Sequence, residues 1–384
     1  MLAFAFPPSK RYPNWQVQRR KTIPANKPRN HPRMTSKQHE PFPESQRLAT
    51  LNGSFSRAPL RVYPLVSVVI PIYNRGLLIV DTLASIVRQN YRPLEVILVD
   101  DGSTDDSLTV VRRWNESAKS DTGIQCHVLE QANRGAAAAR NLGMGHATGK
   151  YIHFLDSDDV LGDFFYATLV QAMEARSDCS FAWGEWIVAE DAREAAANLP
   201  RPTCVPFTPR RTVPPNNAWC GIYRSQSLPS SLAWDESLPN HNDWNFTTRF
   251  LLSAPSELLC IPEPLMVYRT HKGSERLARI QTVPSLRAAI ESADRCAAML
   301  DRRHPWYNEL KVRISSEYIT LFLAVLECNY PQLKWLAARK VVRHFTVQQS
   351  CFLNGMAIAL LVLLPLAGSS FGNKGLRFLR RRLG

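Results

Sequence analysis

Five aspartates stand where chemistry could be done. Asp100 and Asp101 lie in VDDGSTD (99–105), and Asp156, Asp158 and Asp159 lie in FLDSDD (154–159). Each group closes an apolar run. Two carboxylates about 5 Å apart repel by roughly 3 kcal/mol at an effective dielectric near 20, so such crowding needs a compensating partner. Hard oxygen donors at this spacing suit Mg²⁺ or Mn²⁺, which keep waters and bind substrate phosphates. A solvated acidic loop or the first turn of a helix is the competing reading, because aspartate is common at helix starts. Residues two apart in a strand face the same way. If the strand continues that far, Asp156 and Asp158 share a face, and Asp159 is expected to cap the helix that follows.

The elements that must hold these acids are legible from hydrophobic pattern. VSVVIPIY (66–73) is a continuous β-branched run, as a strand buried on both faces requires. EVILVD (95–100), QCHVLE (125–130) and KYIHFLD (150–156) read as further strands. Between them, 77–90, the segment carrying Leu108, Val111 and Trp114, and GAAAARNLGMGHA (135–147) read as helices. Ser103 and Asp105 are candidate caps for the second of these. Strand and helix alternate, which implies a doubly wound, mostly parallel sheet. Ligands bind such sheets at the carboxyl ends of the strands, where both acidic groups fall. Residues 160–270 are less regular. From 284 onward helical stripes return, through Leu286, Ile290 and Ala293, then Leu310, Ile314, Leu321 and Val325, with Pro331 opening a third helix.

VSVVIPIYNR (66–75), VDDGSTDDS (99–107), NRGAAAARNLG (133–143), YIHFLDSDD (151–159), DESLPNHNDWNFTTRFL (235–251) and YRTHKGS (268–274) occur in this order. Together they resemble the family 2 glycosyltransferases. The resemblance implies a GT-A fold, a doubly wound mixed sheet, here with a C-terminal helical extension. It also implies a nucleotide-sugar donor, a divalent metal, and transfer with inversion. By resemblance, Pro71, Tyr73 and Asn74 lie beside the nucleotide. Asp101 accepts a hydrogen bond from the base, supported by Asp100. Asp156 touches the ribose, Asp158 binds the metal, and Arg140 lies near the nucleotide or braces the acids. Asp243 matches the catalytic base, His271 a histidine that completes the metal site in some members, and Trp244 a wall of the acceptor pocket. Asn242 stands where the family usually has Glu, so an acid that assists the acceptor is missing.

The 384-residue chain carries a formal charge of +14, concentrated at its ends. Residues 1–64 contribute +10, 374–384 contribute +5, and the remainder sums to −1. The expected organisation is a basic, Pro-rich disordered arm (1–63), a transferase domain (64–275), a helical extension (276–345) and an apolar segment with a basic tail (346–384). MLAFAFPPSKR lacks the basic start and length of a signal peptide. Residues 346–373 contain no charged side chain, and the arginines behind them suit anionic lipid headgroups. The expectation is a protein of the cytoplasmic membrane face that acts on a glycan or lipid-linked acceptor and recognises no specific nucleic acid. A degenerate binding module whose basic ends contact membrane or nucleic acid is the alternative. Eight scattered cysteines with no CxxC pair argue against zinc and for a reducing compartment. GMGHATG (143–149) precedes a strand rather than following one, which excludes the dinucleotide fingerprint.

Overall fold

The computed structural model describes residues 63–118, 123–202, 218–253, 257–270, 282–328 and 330–344. His271, the basic arm and the 346–384 segment lie outside the described residues.

Among the described residues one eight-stranded mixed sheet organises the fold, in the order β3-β2-β1-β4-β7-β6-β8-β5. β1 (Val66–Ile72) and β2 (Leu94–Asp100) are buried along their whole length, as their continuous apolar runs require. β1 runs parallel to β2, in register from Val66↔Leu94 to Ile72↔Asp100. It also runs parallel to β4 (Tyr151–Phe154), and β2 to β3 (Ile124–Glu130). The other half departs from the parallel pattern. β7 (Gly221–Arg224) lies antiparallel between β4 and β6 (Cys179–Ala189). β8 (Glu257–Arg269) then runs parallel to β6 and antiparallel to the short β5 (Val160–Leu161).

Helices α1 (Ile79–Val87), α2 (Ser107–Ala118) and α3 (Ala136–His146) connect the parallel strands. α4 (Phe165–Glu174) and α5 (Ala192–Ala197) flank β6 in sequence, and α6 (Asn242–Ser253) precedes β8. The helical tail is α7 (Val283–Met299), α8 (Tyr307–Glu327) and α9 (Pro331–His344). α3 comes unusually close to the sheet. A Cβ on Gly143 would meet Cγ1 of Val69 at 2.4 Å, so only glycine fits that turn. The close approach seats the whole of α3, including Arg140, over β1. The buried Glu95 inside β2 is satisfied by Thr148, whose amide and hydroxyl each donate to it at 2.8 Å.

Three local expectations are corrected. β4 ends at Phe154, so strand geometry does not reach the acids; the Asp159 amide instead donates to the Asp156 carbonyl across a turn (3.3 Å). Asp159 caps no helix, because β5 intervenes. Its Oδ1 accepts from the Arg269 amide at 3.0 Å. The Ser103 hydroxyl accepts from the Asn74 amide (3.1 Å) and leaves Asp105 to accept from the Ser107 amide at the start of α2 (2.9 Å).

Candidate active site

Adjacent positions in the sheet bring the carboxyl ends of β2, β1 and β4 side by side. The loops leaving them form one rim. Asn74 has φ of 53°, a left-handed turn that asparagine tolerates better than most residues. Its side-chain oxygen accepts from the Thr104 amide at 2.8 Å, which ties the β1 loop to the β2 loop. Pro71 is buried opposite Val99, and Tyr73 is 43% exposed at the rim. Asp101 organises the next loop. It accepts from the Arg134 amide, the Gly135 amide and the Gln131 side chain, each at 2.8 Å. That uses three of roughly four acceptor positions on a carboxylate. Asp100 accepts from the Ser103 amide at 3.0 Å, and its Oδ1 has no hydrogen-bond partner among the described residues.

Asp156, the first acid after β4, meets a buried cation. Nη2 of Arg140 lies 2.6 Å from Oδ1 of Asp156. The guanidinium stacks 4.4 Å from the centroid of the Trp234 ring. Burial works against its charge, yet Asp156, Asp243 and Asp158 together raise its pKa. Burial also pushes the Asp156 carboxyl up, to about 6, against the pull of Arg140 and with the repulsion of Asp243 and Asp158. Asp243, in the first turn of α6, is raised by burial, while Arg140 and the Ala218 amide hold it down. A carboxylate raised in this way is a better proton acceptor than an ordinary surface aspartate. Its Oδ1 has no hydrogen-bond partner among the described residues.

Asp158 has a second cation beside it, with Oδ2 3.8 Å from Nε of Arg75. One carboxylate oxygen from each of Asp156, Asp158 and Asp159 falls within 4.8 Å of the others. Two ligands on one Mg²⁺ or Mn²⁺ stand at most about 4.2 Å apart at bond lengths near 2.1 Å, so small side-chain rotations suffice for the half-buried pair Asp156 and Asp158. Asp159 is fully buried and already committed to the Arg269 amide. The donor set fits a hard divalent cation.

Trp244 is 4% exposed, and most of its ring lies inside the protein. Several neighbours are not among the residues that the sequence singles out. Trp234 is pinned by Asn141, whose amide nitrogen donates to the Trp234 carbonyl (3.0 Å) while its oxygen accepts from the Trp234 amide (2.8 Å). Arg75 and Asn141 sit inside quoted motifs, so their position was the available signal. Trp234 lies in a stretch with no readable pattern. Arg269 pairs with Asp81 of α1 at 2.7 Å, which anchors the end of β8 beside the acidic turn.

Residues 67–219 match the family described as glycosyl transferase family 2. This segment is a family 2 glycosyltransferase domain. An uncharacterised glycosyltransferase of Escherichia coli, YibD, is 32% identical to the chain over 203 residues, covering 49% of the chain and 57% of YibD. The chain thus spans little more than half of that relative. Among solved structures, residues 1–349 of Staphylococcus aureus TarS in complex with UDP-GlcNAc superpose with a TM-score of 0.60 at 17% identity, covering 82% of the chain and 91% of that TarS fragment. A Pyrobaculum calidifontis mannosyltransferase in complex with GDP-Man and Mn²⁺ gives 0.51 at 18% identity, covering 78% and 81%. At such identities the likeness speaks to the fold, which is GT-A. The family 2 domain ends before Asp243, so the matched segment contains the acids after β4 and the Arg140 helix but not α6.

Proposed function

We propose that the protein is a metal-dependent, inverting glycosyltransferase. It moves one sugar from a nucleotide-diphosphate donor to a hydroxyl of a glycan or lipid-linked glycan, in the making of a cell-surface polysaccharide or glycoconjugate. The observation that carries this reading is the buried Arg140–Asp156 pair at the carboxyl ends of the parallel strands, with Asp158 in the same turn and Asp243 raising the pKa of both members of the pair.

Pro71, Tyr73, Asn74 and Asp101, braced by Asp100, receive the nucleotide, and Asp156 with Arg140 receives its ribose. Asp158, with His271 from outside the described residues, holds Mg²⁺ or Mn²⁺, which when bound would neutralise the departing diphosphate. Asp243 takes the proton of the acceptor hydroxyl as its oxygen bonds to the anomeric carbon. The electron pair of the breaking carbon–oxygen bond leaves with the nucleotide diphosphate, and Trp244 backs the acceptor. Among the described residues no helix is long and apolar enough to cross a membrane. α9 nevertheless carries Trp335, 72% exposed, on one stripe with Arg339 and Arg343, and it has no acidic residue. An exposed tryptophan beside arginines is the composition of an interfacial helix on an anionic membrane, here on the cytoplasmic side.

A panel of nucleotide sugars incubated with Mn²⁺ or Mg²⁺ tests the proposal. Metal-dependent release of sugar and nucleotide diphosphate from one donor is expected, with inverted anomeric configuration in the product. Binding of donors without release from any of them would leave a catalytically inactive module.

A further inference from the structure

Asp243 lies at the start of α6, and the segment that aims this turn is held from the C-terminal helices. His241 adopts φ of 62°, a left-handed conformation costing a non-glycine residue about 1–2 kcal/mol. Its carbonyl accepts the first hydrogen bond of α6, from the Asn245 amide at 3.1 Å. The strained residue is therefore the pivot from which Asp243 departs. Its imidazole Nδ1 lies 3.0 Å from Oε1 of Glu317 on α8, and both side chains are largely buried. Burial disfavours the imidazolium, but the Glu317 carboxylate outweighs it and raises the His241 pKa. Two further links run the same way. Arg313, one turn before Glu317, donates from Nε to the Thr248 hydroxyl at 2.8 Å, and Asn245 donates to the Ser292 hydroxyl of α7 at 2.6 Å. α6 is thus tied at its pivot, its first turn and its middle to elements beyond the family 2 domain.

We infer that Glu317 and His241 are a positioning pair, through which the C-terminal helices set the place of the Asp243 carboxylate for proton removal. The inference rests on the reading of Asp243 as the base. It explains why a strained residue stands two positions before that carboxylate. A carboxylate that must meet an acceptor hydroxyl within hydrogen-bond reach tolerates little displacement, and a misplacement of about 1 Å can cost on the order of 10²-fold in rate. Donor binding uses the rim of β1, β2 and β4, which the pair does not touch.

The test uses the full chain with Glu317→Gln, His241→Gln, Asp243→Asn and the double variant Glu317→Gln/Asp243→Asn. Turnover, donor KM, nucleotide affinity and thermal unfolding are read for each. Glu317→Gln is expected to lower kcat about tenfold or more while donor KM and nucleotide affinity stay within about twofold. In the Asp243→Asn background the same change should cost nothing further, because the carboxylate it positions is gone. His241→Gln approaches the pair from the other side and serves if Glu317→Gln does not fold. An unchanged kcat in a folded Glu317→Gln chain overturns the inference. So does a loss of equal size in both backgrounds, which is the signature of a merely structural residue. Full turnover in Asp243→Asn overturns the base reading, whatever Glu317→Gln does.

Discussion

Arg140 and Asp156 form the tightest charged contact of the site, 2.6 Å between Nη2 and Oδ1, and the charges of Asp243 and Asp158 act on the same guanidinium. Under the proposed function, donor binding and proton removal would share the field of this one buried cation. Trp234 fixes that cation by stacking, which a lysine could not reproduce, since its ammonium is a compact point charge rather than a plane.

Replacing Arg140 should consequently damage both stability and function. Arg140→Met leaves the Asp156 carboxylate without its partner, and loss of one member of a buried pair costs about 3 kcal/mol. Urea unfolding should register that loss, and turnover should fall at least about tenfold. Arg140→Lys should lie between wild type and Arg140→Met. A Lys variant equal to wild type would show that the planar stack on Trp234 is dispensable.

Asp158→Asn should remove the response of activity to added Mn²⁺ or Mg²⁺, together with most of the activity. Calorimetric titration of Mn²⁺ in the presence of a nucleoside diphosphate should show weaker binding than in wild type. Wild-type activity that persists in excess chelator would contradict the metal reading.

Asp243→Asn keeps the size of the side chain and removes the basic oxygen. Turnover is expected to drop by at least about 10²-fold with nucleotide affinity retained. Unchanged turnover would remove Asp243 from the mechanism and direct attention to the other carboxylates around Arg140.

His153 supplies a pH dependence of stability. It is fully buried in β4; its Nε2 donates to the Trp219 carbonyl at 2.7 Å, and its Nδ1 lies 3.0 Å from the Tyr166 hydroxyl. Burial pushes its pKa down from 6.5 to about 4. Between those values the unfolded chain binds a proton that the folded chain refuses, so stability is intact above pH 6.5 and falls as pH drops toward 4. The full loss approaches about 3 kcal/mol. Urea titrations at pH 7 and pH 5 should show a smaller difference in His153→Phe than in wild type, although the variant is less stable at pH 7 for want of a donor to Trp219. An unchanged difference would assign the acid sensitivity elsewhere.

For the membrane contact, Trp335→Ala combined with Arg339→Glu and Arg343→Glu should weaken binding to vesicles containing anionic lipid by at least about tenfold, at about 1 kcal/mol per arginine. Wild-type binding should fall with rising salt. Flotation of the triple variant equal to wild type would move the contact off α9.

The sequence by itself determined the strand ends. Continuous β-branched runs specify strands buried on both faces, and a run that stops abruptly in aspartates marks where the backbone leaves the core. That is why Asp100, Asp101, Asp156 and Asp158 were legible as candidate site residues, and the ordered motifs around them pointed to the family. The packed structure decided what those acids face. A local pattern encodes which face of its own element a residue occupies, but not which distant charge will share its volume. Arg140 reached Asp156 because Gly143 lets α3 sink onto Val69. Trp234 became its platform through the paired amide of Asn141, and Asp159 turned inward to Arg269 rather than capping a helix. Glu317 reached His241 only because α8 packs beside α6. Each of these depends on the register of remote elements against one another, which only the assembled core settles.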